Sequence, residues 1–246
     1  SELTGLHIVM GAGYYLEGSQ PSHFADMSVD DVADEIVRDA TDGVGDTGIR
    51  SGIIDEIGVS ADFTPAEQKS LRGAARAQRR TGLPLMVHLP GWFRRGGQVL
   101  DIVEEEGADP THTVLAHMNP SGADFDYQAG LADRGAYVEY DMVGMDYYYA
   151  DQDAQCPSDE ENAANVARLV EAGYGDRVLL SQDVFLKMML TRHGGFGYDY
   201  ILRHFAPRLR RHGLTDAQVR TMLESNPPAV FATSDSAAAP SPGAVA

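Results

Sequence analysis

Two hydrophobic rhythms alternate along this chain. Short, nearly unbroken apolar runs are separated by longer stretches whose apolar residues recur every three or four positions. The short runs predict six strands: "LHIVMGAGYY" (6–15), "GIRSGIIDEIG" (48–58), "LPLMVHL" (83–89), "HTVLAHM" (112–118), "AYVEYDMVG" (136–144) and "RVLLSQDVF" (177–185). The longer stretches predict helices over 28–44, 64–82, 96–107, 126–135, 158–175, 198–211 and 215–224. Ser28 and Thr64 are placed to cap two of them, with Pro65 in the first turn and Gly82 as the stop of the second. Strands that are apolar almost throughout are the mark of a parallel sheet covered on both faces. Two architectures suit the order: a (β/α)8 barrel and an open doubly wound sheet.

No repeat and no linker divides the chain, so one domain is expected over residues 1–232. The small, Pro-rich "SDSAAAPSPGAVA" at the end is expected to be a disordered tail, 233–246. A dinucleotide fold is disfavoured. "GAGYYL" lacks the third glycine of the fingerprint, and "GGFGYDY" (194–200) does not directly follow its strand.

Composition narrows the partners. The formal charge is −18, from 37 acids against 19 bases. That balance argues against nucleic acid or an anionic membrane surface and leaves a small-molecule substrate. The single cysteine, Cys156, excludes an internal disulfide and fits a reducing compartment. Neither a signal peptide nor an apolar run of membrane-spanning length is evident, so the expected location is cytoplasmic. A homodimer is the candidate oligomer.

The chemistry collects where the predicted strands end. Asp55 and Glu56 close the second run, His88 the third and His117 the fourth. Glu139 and Asp141 stand in the fifth, and Asp183 in the sixth. In a parallel barrel these ends open onto one face. Each residue alone has a bland reading, an acid as a helix cap or a histidine as a hydrogen-bonded strand end. Histidine is a poor cap, however, and the repetition on successive strands points to a divalent metal held by imidazole and carboxylate.

At these residues the chain resembles the phosphotriesterase family of the amidohydrolase superfamily, in particular its phosphotriesterase-homology and lactonase branches. The likeness runs from about residue 3 to 232. It is carried by "GIRSGIIDEIG", "TPAEQKSLRGAARAQRRTGLPLMVH", "VLAHMNP", "GAYVEYDMVG", "VLLSQDV", "GGFGYDYI" and "ESNPPAVF". The resemblance implies a (β/α)8 barrel with two divalent metals at the strand ends, expected as zinc, with manganese, iron or cobalt as alternatives. It implies Glu56 as the carboxylate bridging them, Asp55 being the other candidate. His88 and His117 would hold the second metal, and Asp183 would bind the first and relay a proton. Tyr15 aligns with a pocket aromatic of the family. Lys187 and Arg192, in the loop after Asp183, are candidates to bind a substrate phosphate or carboxylate.

One family feature is not found: the His-x-His pair of the first strand. If Glu56 is on the fourth strand, "LHIVMGAGYY" is the third, and strands three to eight are the ones expected here. A fragment, a short chain completed by a partner, or a rearranged sheet would each account for this. The expected activity is metal-dependent hydrolysis of a lactone, carboxylic ester or phosphoester, with lactone favoured. The alternative is a relative that binds metal or a partner without turnover.

Overall fold

The computed structural model describes residues 3–150 and 153–232. The expected tail, 233–246, lies outside the described residues.

Six parallel strands form one sheet: β1 (Gly11–Ala12), β2 (Ile53–Gly58), β3 (Leu85–His88), β4 (Thr113–Leu115), β5 (Tyr137–Tyr140) and, after a hairpin of β6 (Tyr148–Tyr149) with β7 (Ala154–Gln155), β8 (Val178–Leu180). Their spatial order is their chain order, with neighbours in register at Gly11↔Ile53, Leu85↔Thr113, Leu115↔Val138 and Val138↔Val178. This decides between the two architectures. A doubly wound sheet reverses its strand order at a switch point; this sheet never does, and it winds as the wall of a (β/α)8 barrel. Among the described residues, β1 and β8 each pair on one side only.

The helices between strands form where the pattern predicts, and most of them are capped by a side chain. Helix α1 (Val29–Thr41) starts at Ser28, whose side chain accepts from Asp31 N–H in a reciprocal capping box. Helix α2 (Pro65–Thr81) starts in the same way at Thr64 with Glu67, and stops at Gly82 in a left-handed conformation. The Glu67 carboxylate is buried and also accepts from Ser60 N–H at 3.0 Å and Ser60 Oγ–H at 2.8 Å. It therefore ties the loop after β2 to the helix that covers it. Helices α3 (Gly96–Glu105), α4 (Phe125–Asp133) and α5 (Asp159–Glu171) complete the outer layer along the sheet. Leu71 and Leu100 from helices and Ile54, Leu85, Leu115 and Val138 from strands are fully buried in one continuous core.

Two expectations are corrected. The predicted strand 6–15 contributes only Gly11–Ala12 to the sheet, and Leu6, Ile8 and Val9 stand 64%, 69% and 47% exposed. The pairing with β2 begins near Gly52, whose N–H donates to Met10 O, so the earlier residues have no ladder to join. At the other end the helical chain runs past 224. A π-turn (Ile201–Phe205) leads into α6 (Ala206–Arg211). Helix α7 (Asp216–Arg220) passes through a second π-turn (Thr221–Ser225) into α8 (Asn226–Phe231). Pro227 and Pro228 lack N–H donors. They sit in the first turn of α8, where no donor is needed.

Candidate metal centre

The strand ends bring three ligand types to one point. The pairing of β2 with β3 slips between Ile54↔Leu85 and Ile57↔Val87, three residues against two. Such a bulge re-aims the side chains it contains, and here these are Asp55 and Glu56. His88 is the last residue of β3. His117 lies two residues beyond β4 with φ at 58°, a strained conformation for a non-glycine residue. His117 Nε2 is 2.7 Å from His88 Nδ1. Glu56 Oε1 is 3.2 Å from the former and 3.6 Å from the latter. One ligand atom from each of Glu56, His88 and His117 falls within 4.8 Å of the others, the only such group of three among the described residues.

The donor set fits a divalent cation. Two imidazole nitrogens and a carboxylate oxygen point at one another, whereas only one proton can bridge the two nitrogens. This mixed N/N/O set is that of zinc and its neighbours in the first transition row. Behind His117, Asp141 accepts from Nδ1 at 3.0 Å and from the His117 backbone N–H at 2.9 and 3.0 Å. With Nδ1 donating, Nε2 is left as the lone pair facing Glu56 and His88.

The charges agree with this. Burial alone would lower the His117 imidazole, but the carboxylates of Asp141 and Glu56 push it up to about 11. Burial would raise Glu56, but hydrogen bonds from His117 and His88 bring it down to about 2. Without a metal, a proton on His117 stands in for the positive charge these acids require. Asp183 is raised to about 6, first by burial and then, against the pull of His117, by the like charges of Asp141 and Glu56. Asp55 is raised to about 6 by burial and by Glu56. Glu139, fully buried, is held well above the carboxylate range by desolvation and by Asp141. Asp55 Oδ1 and Glu139 Oε2 are buried with no hydrogen-bond partner among the described residues.

A cleft of about 600 Å³ opens above the three ligands. Asp183, three residues beyond β8 and with φ at 36°, lines it, although it stands outside the group of three. Tyr15 lines it too, its hydroxyl 3.2 Å from the His88 ring. Gly58 makes that placement possible, because a Cβ there would lie 2.3 Å from Leu16 N and 2.5 Å from the Tyr15 carbonyl carbon. Of the two acids on β2, Glu56 is the one beside the histidines, while Asp55 packs against Gly11. The structure does not bring Lys187 or Arg192 to the cleft. Both are exposed on 3₁₀ turns, Lys187–Met189 and Thr191–His193, and it is Met189 that turns inward. Sequence reading gave Asp141 no role; the Tyr-rich "GMDYYYADQD" (144–153) suggested an aromatic-lined rim, and Tyr149 of that stretch does line the cleft, but Trp92 and Phe185 were missed. For Trp92 the signal was there, a lone tryptophan soon after His88.

With the site in view, likeness to known proteins can be stated. The model of the phosphotriesterase family matches residues 1–231. The N-acetyltaurine hydrolase of Danio rerio is 36% identical over 227 residues, covering 91% of this chain and 65% of its own length. That of Homo sapiens is 34% identical over 229 residues, covering 92% and 66%. The chain therefore spans just under two-thirds of the length of these relatives. Among solved structures, a resiniferatoxin-binding protein from Rhodobacter sphaeroides superposes with a TM-score of 0.92 at 63% identity, over 93% of this chain and 64% of that one. The phosphotriesterase homology protein from Escherichia coli, in complex with phosphate in its active site, gives 0.87 at 34% identity, over 94% and 77%. A mutant phosphotriesterase-like lactonase from Deinococcus radiodurans gives 0.81 at 30%, over 94% and 74%. On sequence, fold and motif order together, this chain belongs to the phosphotriesterase family.

Proposed function

We propose that the protein is a metal-dependent hydrolase of a lactone, carboxylic ester, amide or phosphoester, with an acyl bond favoured over a phosphoester. The observation that carries this reading is the convergence of Glu56, His88 and His117 at the floor of an open cleft, with Asp183 beside them. The names of its relatives, N-acetyltaurine hydrolase and phosphotriesterase-like lactonase, support hydrolysis, and the first adds amides to the substrate range. The buried Cys156 fits a cytoplasmic setting.

Glu56, His88 and His117 would hold the cation. When bound, it supplies the charge that polarises a substrate oxygen and acidifies a water. The chain's own groups do the rest. Asp141 fixes the His117 ring so that its Nε2 lone pair faces the site. Asp183 stands at the cleft wall as a carboxylate able to take a proton and return it to the leaving group. Tyr15 offers a hydroxyl next to His88, at the lining of the cleft.

The test is elemental analysis and turnover on the same protein. Zinc-loaded protein should hydrolyse simple lactones or esters. Removing the metal should abolish the activity, and Asp183→Asn should reduce it at least about a hundredfold while metal content stays unchanged. Full turnover after metal removal would defeat the reading. A second reading, ligand binding without turnover, is favoured by the name of the 63%-identical protein from Rhodobacter sphaeroides. It would be upheld by saturable binding to metal-loaded protein with no product.

A further inference from the structure

Each residue of the run Glu139–Met142 is tied to the turn that carries His117. The Met118 N–H donates to Glu139 O at 3.1 Å. The Asp141 carboxylate accepts from the His117 backbone and ring. The Met142 N–H donates to the Asn119 side-chain oxygen at 3.0 Å. Tyr140, the remaining residue, reaches the turn through helix α4. Its hydroxyl donates to Gln128 Oε1 at 2.7 Å, and Gln128 Nε2 donates to Met118 O at 2.7 Å and to Ser121 Oγ at 2.8 Å. The Ser121 hydroxyl in turn donates to Met118 O at 2.9 Å. Gln128, Tyr140 and Ser121 are all buried. A carbonyl can only accept, so Met118 O fixes which way the Gln128 amide faces. In that orientation both hydrogens of Nε2 and the oxygen Oε1 are engaged.

We propose that Gln128 is a positioning residue for the metal centre: it clamps the turn after β4 to β5 and so fixes where His117 stands against Asp141. Its purpose, though not its geometry, rests on the metal-dependent hydrolase reading above. Three features converge on it. His117 lies beyond the last paired residue of β4 with φ at 58°, a conformation that persists only where the surroundings impose it. Met118 and Tyr140 are the chain neighbours of His117 and Asp141, so the amide spans the two backbone segments that set the His117–Asp141 contact. An apolar side chain of similar size would fill the same space without the cost of desolvating an amide, so packing alone does not account for a buried glutamine. The hydrogen bonds of Gln128 run to Met118, Ser121 and Tyr140, and it therefore acts on His117 through the backbone.

Gln128→Leu removes the hydrogen bonds and keeps the bulk, and Tyr140→Phe removes one hydroxyl. Leu100→Ala, a buried change on helix α3 with no part in this network, is the control for general loosening. Zinc affinity is read by competition with a chromophoric chelator on folded protein. It should fall about three- to tenfold in Gln128→Leu, less than for a direct partner of the ring, and in the same direction in Tyr140→Phe. In Leu100→Ala it should stay within about twofold of wild type. On metal-free protein, the downfield ring N–H resonance of His117, assigned by its loss in His117→Ala, should shift in Gln128→Leu and hold its place in Leu100→Ala. Folded Gln128→Leu with zinc affinity within about twofold of wild type, or an equal loss in Leu100→Ala, would overturn the proposal. Should Gln128→Leu fail to fold, Tyr140→Phe is judged by the same limits. Zinc binding that depends on Gln128, with no turnover of lactone or ester, would end the hydrolase reading and leave the positioning role standing. Zinc-dependent turnover with an affinity indifferent to Gln128 would do the reverse. Protein that takes up no zinc would end the hydrolase reading, and the His117 resonance would then decide alone: unshifted in Gln128→Leu, it overturns the positioning role.

Discussion

Replacing Asp141 with asparagine should weaken zinc binding by about one to two orders of magnitude while the protein stays folded. Asp141 is 5% exposed and accepts three contacts from His117: Nδ1–H at 3.0 Å and the backbone N–H at 2.9 and 3.0 Å. Asparagine has nearly the same shape but only one acceptor oxygen. Its amide group must therefore meet either the ring N–H or the backbone N–H, a donor facing a donor. The negative charge that supports the ring as it binds a cation is also lost. A hydrogen bond to a charged group contributes about 1.5–3 kcal/mol net, and tenfold in affinity corresponds to about 1.4 kcal/mol. The two routes to the magnitude agree. Part of the loss cancels, because Asp141 also stabilises the competing proton on His117. The rest survives because a divalent ion carries twice that charge. The assay is competition with a chromophoric zinc chelator at neutral pH on metal-stripped protein, with thermal melts beside it. If Asp141→Asn is folded and its zinc affinity lies within about threefold of the wild type, Asp141 does not orient His117 for a metal and the reasoning fails.

Other outcomes follow from the packing and the ion pairs. Gly58→Ala would drive a Cβ into the Tyr15–Leu16 backbone, so melting temperature should fall, by an amount equivalent to about 1–3 kcal/mol; unchanged melting would show that the segment moves freely. Leu100→Ala, at a site 0% exposed in the main core, should cost about 2–5 kcal/mol in urea denaturation, and a loss below about 1 kcal/mol would mean the core collapses around the gap. Glu106 joins Arg72 at 2.6 Å and Arg76 at 2.7 Å. Burial works to raise its carboxyl, but hydrogen bonds from Arg76 and Arg72 hold it below the usual range. A depressed folded-state pKa gives stability that is present above the unfolded carboxylate range and lost as pH falls through the folded value. Glu106→Gln should therefore be about 1 kcal/mol less stable than wild type at pH 7 and converge with it toward pH ~2; a gap that persists in acid would assign the effect to packing instead.

Much of this molecule was legible in its local patterns. Ser28 and Thr64 were readable as caps, and Gly82 as a stop, because capping depends on residues within one turn. The strand-end histidines and acids stood out because an apolar run gives them no reason to be there. The limits were those of local reading. "HTVLAHM" looks like one strand, yet only Thr113–Leu115 pairs, and His117 belongs to the strained turn beyond. Lys187 and Arg192 follow Asp183 closely in sequence but face solvent, since burying their charges away from any partner would be unfavourable. Asp141 was visible as an acid, but its role depends on His117, 24 residues earlier, arriving at its carboxylate.

The sequence by itself determined the alternation of strand and helix, the caps and stops, the absence of a dinucleotide loop, and the family likeness that named Glu56, His88, His117 and Asp183. These follow from periodicity and side-chain chemistry over a few residues. Only the tertiary structure decided that the strands lie in chain order, that the bulge in β2 sets Glu56 beside the histidines and Asp55 against Gly11, and that Trp92, Tyr149 and Phe185 line the same cleft as the acids. Strand order, register and the meeting of distant loops are set by contacts between segments far apart in the chain, and no local window contains both partners of such a contact.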